Sequence, residues 1–77
     1  SEIMTIETKY NIGDEVWFTS GSKEICGYIE YLRIQYECSR WEEDKVESYT
    51  IRGFNDILYV VEAERIFPTK EELIKSL

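Results

Sequence analysis

The stretch EICGYIEYLRIQYEC (residues 24–38) alternates apolar and polar residues as a β-strand does, but its phase reverses near the middle. A strand buried on one face cannot change faces without a break in its pairing. The sequence therefore predicts a β-bulge or sharp bend between Glu30 and Leu32. Gly27 predicts a close crossing by another strand, because it has no side chain. Small closed barrels use long, bent strands of this kind to turn corners. The two faces are defined by Ile25, Gly27 and Ile29 before the reversal and by Leu32, Ile34 and Tyr36 after it.

The segment before this strand, YNIGDEVWF (residues 10–18), predicts a turn that leads into a first strand. Gly13 accepts backbone angles that other residues avoid, which suits a turn. In the strand that follows, Val16 and Phe18 share one face and Trp17 lies on the other. The first face is typical of a core, whereas Trp17 needs a separate explanation.

Three later segments predict short elements. SRWEEDKVE (residues 39–47) is polar and charged, which is typical of a hairpin tip. VESYTIR (46–52) and ILYVVE (57–62) predict two strands joined by the turn GFND. AERIF (63–67) predicts a 3₁₀ turn followed by a strand of two residues.

The C-terminal sequence predicts a short helix over residues 69–77. Thr69 and Glu72 form a capping box directly after Pro68. A nine-residue helix is marginal alone in water, so it must dock on something. Two alternatives remain, which are docking on the rest of the chain and pairing with a second copy in a homodimer. The apolar stripe available for either consists of Leu73, Ile74 and Leu77.

Taken together, these elements predict a mainly β chain with five short strands, a 3₁₀ turn and a short C-terminal α-helix. This plan resembles the five-stranded SH3-like small β-barrel of the KOW/Tudor-like type. IGDEVWF (residues 12–18) resembles the entry to the first strand in many bacterial and phage domains of this type, and ICGYIEYL (25–32) is similar to their second strand. VVEAERIFPTKEELIKSL (60–77) resembles the ending of small uncharacterised phage and gut-bacterial proteins.

The resemblance covers roughly residues 9–77 and implies a simple domain organisation. We expect an N-terminal arm or edge strand at residues 1–9, the barrel at 10–68 and the helix at 69–77. The chain departs from the KOW pattern because it lacks a basic loop, which argues against nucleic-acid binding. The expected barrel interior consists of Val16, Phe18, Ile25, Ile29, Tyr49, Ile51 and Val61.

Composition argues against several kinds of chemistry. The chain has 77 residues, a net charge of −7 and no histidine, so a Ser-His or Cys-His nucleophile cannot be built. Its negative field repels phosphates. Two cysteines, Cys26 and Cys38, are too few for a zinc site. We expect no enzyme activity, no catalytic residue, no metal and no cofactor, and we expect at least one of the two cysteines in the core.

The acid clusters in the sequence have ordinary explanations as well. A hairpin tip and a helix start are both exposed to water, and general acid–base catalysis needs an enclosed carboxylate. No signal peptide and no apolar run approaching 18 residues is present, so we expect a cytoplasmic protein with free thiols and no membrane contact.

Aromatic residues are the strongest candidates for specific binding, because exposed tryptophan and tyrosine often anchor interfaces. We predict a groove lined by Trp17, Tyr28 and Tyr59 that holds a peptide. A second candidate is Trp41 in the predicted hairpin tip, where it stands beside three acids and would suit a basic partner. Those acids are Glu42, Glu43 and Asp44. The aromatic side chains expected to be exposed or half-exposed are Trp17, Tyr28, Tyr31, Tyr36, Trp41 and Tyr59.

These features predict a small, non-enzymatic protein-binding module that acts through an aromatic and acidic surface. One alternative is a phage or mobile-element inhibitor, whose acidic surface occupies a basic nucleic-acid-binding site on a host defence protein. A second alternative is a nucleic-acid-binding KOW-like domain. Salt distinguishes the first two, because binding through acidic residues weakens steeply as ionic strength rises and binding in an aromatic groove does not.

Overall fold

The computed structural model describes residues 7–77, which form a mainly β structure built on an antiparallel meander. Neighbouring strands pair in chain order, and a 3₁₀ turn and a short helix follow the last of them. Of the predicted N-terminal arm, residues 1–6 lie outside the described residues, and residues 7–9 form no strand. The elements are β1 (Glu15–Ser20), β2 (Lys23–Cys38), β3 (Glu43–Gly53), β4 (Leu58–Glu62), the 3₁₀ turn (Ala63–Arg65) and α1 (Lys70–Ser76).

The predicted bulge in β2 is confirmed. The register of β2 against β3 shifts between Ile29 and Tyr31, so that Glu30 is the extra residue. Ile29 pairs with Ile51 before the shift, and Leu32 pairs with Tyr49 after it. We call the side of the sheet that carries these four residues the core face and the opposite side the outer face. The single extra residue absorbs the phase reversal, so apolar positions of both parities lie on the core face.

The close strand crossing predicted at Gly27 is also present. Gly27 faces Gly53 of β3. A Cβ atom added to Gly27 would lie 2.3 Å from the carbonyl oxygen of Arg52 and 2.8 Å from the Cα atom of Gly53. Both of these neighbours are backbone atoms, so β2 and β3 can approach this closely only without a side chain at residue 27.

The prediction of a five-stranded barrel is wrong in its last element. After the 3₁₀ turn, Phe67 forms a single bridge to Trp17 of β1, with both N–H···O distances at 2.8 Å. Pro68 follows immediately and has no N–H with which to extend the pairing. Within residues 7–77 the sheet therefore has four strands and does not close into a barrel.

The expected core is largely confirmed. Every residue predicted for the interior is buried except Ile25, which is partly buried against the others. Two further core residues, Tyr10 and Ile66, come from segments outside the sheet, and the Tyr10 hydroxyl donates to the Ile66 carbonyl at 2.7 Å. The buried residues of this cluster are Tyr10, Val16, Phe18, Ile29, Tyr49, Ile51, Val61 and Ile66.

Helix α1 docks on the rest of the chain through one residue of its apolar stripe. Leu73 is 1% exposed, whereas Ile74 and Leu77 remain exposed. The side chain of Thr69 caps the helix by accepting a hydrogen bond from the Glu72 N–H at 3.2 Å, as the capping box predicts. Docking supplies the stabilisation that so short a helix lacks in isolation.

The hairpin of β2 and β3 projects beyond the rest of the sheet. β1 pairs with β2 only as far as Tyr28, and β4 pairs with β3 only from Ser48 onward. Residues 34–38 and 43–47, which we call the projecting ribbon, therefore extend past both neighbouring strands. The described part of the chain measures 43 × 24 × 20 Å, and the ribbon accounts for its elongation.

A hydrogen-bonded group at the base of the ribbon fixes the segment that precedes β1. The Tyr49 hydroxyl accepts from the Tyr10 N–H at 3.0 Å and donates to the Glu47 carboxylate. Glu47 also accepts from the Lys9 N–H at 3.0 Å and lies 3.7 Å from the Lys45 ammonium group. Burial raises the pKa of Tyr49 to about 12, and the hydrogen bond to Glu47 adds to this, so the hydroxyl keeps its proton.

Glu47 should make the fold sensitive to acid. Burial alone would raise the pKa of Glu47, but the hydrogen bonds from Tyr49 and Lys9, together with Lys45, hold it below its usual value of 4.5. A lowered pKa in the folded state contributes stability above about pH 4.5, and this stability is lost as the pH falls through the folded-state value. We expect Glu47→Gln to lower the free energy of unfolding by about 1–2 kcal/mol at pH 7, and by less at pH 3.

Urea denaturation at the two pH values measures this difference. Glu42→Gln, at an exposed residue of the hairpin, is the matched control and should change stability little at either pH. An equal loss at pH 7 and pH 3 for Glu47→Gln would show that the carboxylate charge is not what stabilises the fold.

Candidate functional site

The predicted groove of Trp17, Tyr28 and Tyr59 does not form. Trp17 and Tyr28 lie on the outer face, opposite the buried side of the sheet. Tyr59 pairs with Ile51 on the core face, and its ring packs edge-on against Phe18 with ring centroids 5.1 Å apart. The reason is strand parity, because Tyr59 is two residues from the buried Val61 and must point the same way.

Phe54 joins Trp17 and Tyr28 on the outer face instead, and we call these three residues the outer aromatic surface. The Phe54 ring meets Tyr28 edge-on at a centroid distance of 5.2 Å, and it borders an open groove of about 280 Å³ together with Trp17 and Cys26. Sequence reasoning missed Phe54 because GFND was interpreted only as a turn. A large aromatic residue in an otherwise polar turn was the available signal.

Contacts within the fold give Trp17 a structural role that explains much of its position. Its backbone forms the bridge to Phe67, and its half-buried ring lies 5.7 Å from the ammonium group of Lys70, at the start of α1. The Lys70 ammonium also lies 3.7 Å from the carboxylate of Glu24. Trp17 therefore joins β1 to the C-terminal segment and offers only part of its ring to a partner.

Neither cysteine lies in the core, contrary to the prediction. Before the bulge Cys26 faces outward, and its thiol donates to the Glu15 carboxylate at 3.3 Å. Burial raises the pKa of Cys26 to about 11, and the bond to Glu15 reinforces this, so the thiol is protonated at neutral pH. Cys38 ends β2 in an exposed position, and both thiols are free. The bulge is the reason that Cys26 lies on the face opposite the core. Cys38 has the parity of the core face, but it is exposed because the ribbon extends past the core at that point.

Trp41 is the most exposed of the candidate aromatic residues, at 85%. It lies in the turn between β2 and β3, which is organised by one serine side chain. The Ser39 hydroxyl oxygen accepts from the Trp41 N–H at 3.2 Å and the Glu42 N–H at 3.1 Å. The Ser39 N–H donates to the Glu42 carbonyl at 2.7 Å, and the Arg40 guanidinium group lies 5.3 Å from the Trp41 ring. The turn is therefore a defined structure that presents the indole ring to solvent.

Acidic side chains surround this turn. Glu42, Glu43 and Asp44 are all exposed, and Asp44 pairs across the ribbon with Glu37. We call residues 39–44 the hairpin tip. The predicted tip, 39–47, is too long, because β3 begins at Glu43 and the charged residues after the turn pair with β2. Like charges directly opposite one another destabilise a sheet, so the Glu37–Asp44 pair does not stabilise the ribbon.

The two candidate surfaces are separate. On β2, Cys26 pairs with Trp17 of the outer aromatic surface. Cys38, the last residue of β2 before the tip, lies twelve residues further along the strand. At about 3.3 Å per residue this length of strand spans at most about 40 Å, and the bend at the bulge makes the direct distance shorter. Trp41 with its acids and the outer aromatic surface would therefore meet different parts of a partner.

One carboxylate pair was missed by the sequence analysis. Glu62 and Glu64 share a hydrogen bond, which raises the pKa of Glu62; the pKa of Glu64 is lowered, first by its own backbone N–H and then by Glu62. Both are exposed and border an open depression of about 470 Å³ beside Lys9. Water reaches this pair freely, which is unlike the enclosed carboxylate of a general acid.

Among residues 7–77, no three His, Cys, Asp or Glu side chains are placed so that they could hold a metal ion. Over the same residues no helix has the length and apolar character needed to cross a bilayer. No protein-family model, curated protein or solved structure matches the chain.

Proposed function

We propose that this chain is a non-enzymatic protein-binding module that engages its partner with the hairpin tip. The observation that carries the proposal is Trp41, which is 85% exposed at the end of the projecting ribbon. Burying an indole ring removes a large apolar surface from water, and tryptophan is enriched among residues that dominate binding energy. The hydrogen bonds of Ser39 hold the turn in place, so little ordering would be needed on binding.

The acids beside Trp41 point to a partner with a basic surface. Glu42, Glu43 and Asp44 concentrate negative charge around the indole ring, in a chain whose net charge is already −7. Complementary charge accelerates encounter and sets orientation, while a buried aromatic ring supplies much of the affinity. A nucleic-acid partner is disfavoured, because the same acids repel phosphates.

A narrower form of the proposal is inhibition of a nucleic-acid-binding protein. The ribbon is a narrow, two-stranded element with an acidic end, and an element of that shape can enter a basic groove that otherwise holds DNA or RNA. The resemblance of residues 60–77 to phage proteins supports an inhibitor of a host defence protein. Free thiols at Cys26 and Cys38 support a reducing, cytoplasmic setting.

We further propose that the fold is related to SH3-like barrels. Three features support this relationship: the meander order of the sheet, the bulge in β2 and the return of Phe67 to β1 after a 3₁₀ turn. The projecting ribbon would then be an elongated hairpin added to a small barrel plan, and its length is what distinguishes this chain.

Affinity capture from the source cells tests the proposed function. We expect immobilised wild-type protein to retain a basic protein at low salt and to release most of it at 0.5 M salt. Trp41→Ala should lower the affinity by about 100-fold, because a tryptophan at the centre of an interface contributes roughly 2–4 kcal/mol. Neutralising the three acids as Glu42→Gln, Glu43→Gln and Asp44→Asn should chiefly slow association.

Trp17→Ala is the matched control, because it also removes an indole ring but does so on the outer face. Retention by the Trp17→Ala protein and loss by the Trp41→Ala protein would support the hairpin tip as the binding surface. The reverse pattern would instead support the outer aromatic surface, and equal retention by both variants would contradict an aromatic anchor.

A further inference from the structure

Within residues 7–77, β2 has no neighbour after Ile29 on the edge away from β3, so the projecting ribbon has an open edge along β2. Strand β3 runs without a bulge, and the Gly53 N–H donates to the Ile57 carbonyl on the β4 side. Backbone groups of odd-numbered β3 residues therefore point toward β4, and those of even-numbered residues point toward β2. The β2 partners of these even residues are 31, 33, 35 and 37. Residues 32, 34, 36 and 38 accordingly direct their N–H and C=O groups to the open edge.

The sequence of this edge is complementary to itself. If a second copy pairs antiparallel about Gln35, Arg33 meets Glu37 of the second copy, and Glu37 meets Arg33 of the second copy. Ile34 then meets Tyr36 of the second copy, and Leu32 meets Cys38. Ile34 and Tyr36 both direct their backbone N–H and C=O groups to the open edge. In this register each of them faces the other across the axis, so the two copies can exchange backbone hydrogen bonds.

The apolar side chains of the ribbon fit the same arrangement. Leu32 and Tyr36 are 36% and 53% exposed. Leu32 lies on the core face level with Val61 of β4, and Ile34 and Tyr36 continue that face beyond the rest of the sheet. Pairing about Gln35 would set each of these side chains beside an apolar side chain or thiol of the other copy. Cross-strand apolar and opposite-charge pairs are the interactions that stabilise a sheet.

Pairing of two copies through the opposite edge is less favoured. Antiparallel pairing of β3 about Val46 would set Lys45 against Glu47 of the second copy. Within residues 7–77, however, Glu47 already accepts hydrogen bonds from Tyr49 and Lys9 and lies 3.7 Å from Lys45 of its own chain. Arg33 and Glu37 on the β2 edge have no salt bridge among the described residues, so their charges are available to a second copy.

We propose that two copies of this chain associate through the β2 edge. Strands β2 and β3 of the two copies would then form a continuous four-stranded antiparallel sheet, with a two-fold axis at Gln35. The occupant of the edge is a second copy, because the Arg33 and Glu37 charges match across that axis. Within the described residues neither of these two side chains forms a salt bridge. This association goes beyond the proposed function and does not depend on it.

Exchanging the charges of Arg33 and Glu37 tests the association. Sedimentation equilibrium on purified protein from 5 to 500 μM measures the mass of the assembly. Wild type should pass from 9.2 kDa to about twice that mass as concentration rises. Arg33→Glu and Glu37→Arg each place like charges opposite one another at two points, so each should weaken the dimer at least about tenfold. The double variant Arg33→Glu/Glu37→Arg restores opposite charges and should recover wild-type association.

Both side chains are exposed, so the single variants should fold, which circular dichroism verifies. A wild type that stays monomeric at 500 μM overturns the proposal. Single variants that dimerise as well as wild type overturn it too, as does a double variant that fails to recover.

A disulfide locates the axis independently. Directly opposed residues in a pair without hydrogen bonds have Cα atoms about 4.5 Å apart, within the range for a disulfide. In a chain carrying Cys26→Ser and Cys38→Ser, Gln35→Cys should oxidise to a covalent dimer. Val60→Cys, 75% exposed on β4, is the control and should remain largely monomeric. Equal cross-linking at the two positions would show random collision and contradict the proposed axis.

Discussion

Gly27→Ala is expected to destabilise the fold by about 3 kcal/mol, the upper end of the usual cost of overpacking. The added Cβ atom would meet the Arg52 carbonyl oxygen at 2.3 Å and the Gly53 Cα atom at 2.8 Å. Neither atom can move without separating β2 from β3, the pair of strands that runs the length of the molecule. In so small a domain such a loss is a large share of total stability. Thermal and urea denaturation measure it.

Gly53→Ala is the matched comparison, because Gly53 faces Gly27 across the same pair of strands. There the nearest contacts of an added Cβ are side-chain atoms, Asn55 Oδ1 at 2.6 Å and Tyr59 Cε2 at 3.2 Å. The Asn55 side chain is exposed and can move aside, although this costs its hydrogen bonds with the Ile57 N–H and the Tyr59 hydroxyl. We therefore expect a smaller loss than for a clash with backbone atoms. A Gly27→Ala protein as stable as wild type would show that the two strands are not this close.

Tyr49→Phe is expected to cost about 2 kcal/mol, although it removes a single oxygen atom. The Tyr49 hydroxyl accepts from the Tyr10 N–H and donates to Glu47, and the side chain is fully buried. Its loss leaves a buried N–H without a partner and removes a donor from a carboxylate. Segment 7–10 should loosen first, because this hydroxyl attaches it to β3.

Amide hydrogen exchange at Tyr10 measures the loosening, and urea denaturation measures the loss of stability. Tyr36→Phe removes a hydroxyl from an exposed tyrosine of the projecting ribbon and should change stability by less than about 0.5 kcal/mol. If the two variants lose equal stability, the buried hydrogen bonds are not the cause.

The sequence predicts those parts of the fold that depend on local pattern. The phase reversal in residues 24–38 predicts the bulge, and the parity of β1 predicts Val16 and Phe18 in the core. The position of Tyr59 was equally predictable, because it shares parity with Val61. Grouping it with Trp17 ignored that parity, so the groove was an error of interpretation rather than a gap in the sequence.

Other features depend on contacts that no local pattern contains. Tyr10 is buried because its hydroxyl reaches Ile66, which is 56 positions away in the chain. The acids at the start of β3 favour a loop by propensity, yet pairing with β2 holds them in a strand. The two-residue strand predicted at the end of AERIF (63–67) forms only the bridge from Phe67 to Trp17, because Pro68 cannot extend the pairing.

The candidate site follows the same division. Trp41 was predictable as an exposed ring because it lies among charged residues in a turn. Its separation from Trp17 was not, because that separation depends on β2 continuing as one strand from Lys23 to Cys38. Phe54 was missed for a related reason, since only the pairing of β2 with β3 brings it to Tyr28.

Site-specific photo-crosslinking in the source cells tests the binding role of the hairpin tip most directly. A photo-reactive phenylalanine derivative replaces Arg40, next to Trp41, in one protein and Ser22, in the exposed turn at the other end of β2, in a second. We predict one discrete protein adduct from position 40, formed more slowly when Glu42, Glu43 and Asp44 are neutralised, and none from position 22. Adducts from position 22 alone, or the same products from both positions, would contradict binding through the hairpin tip.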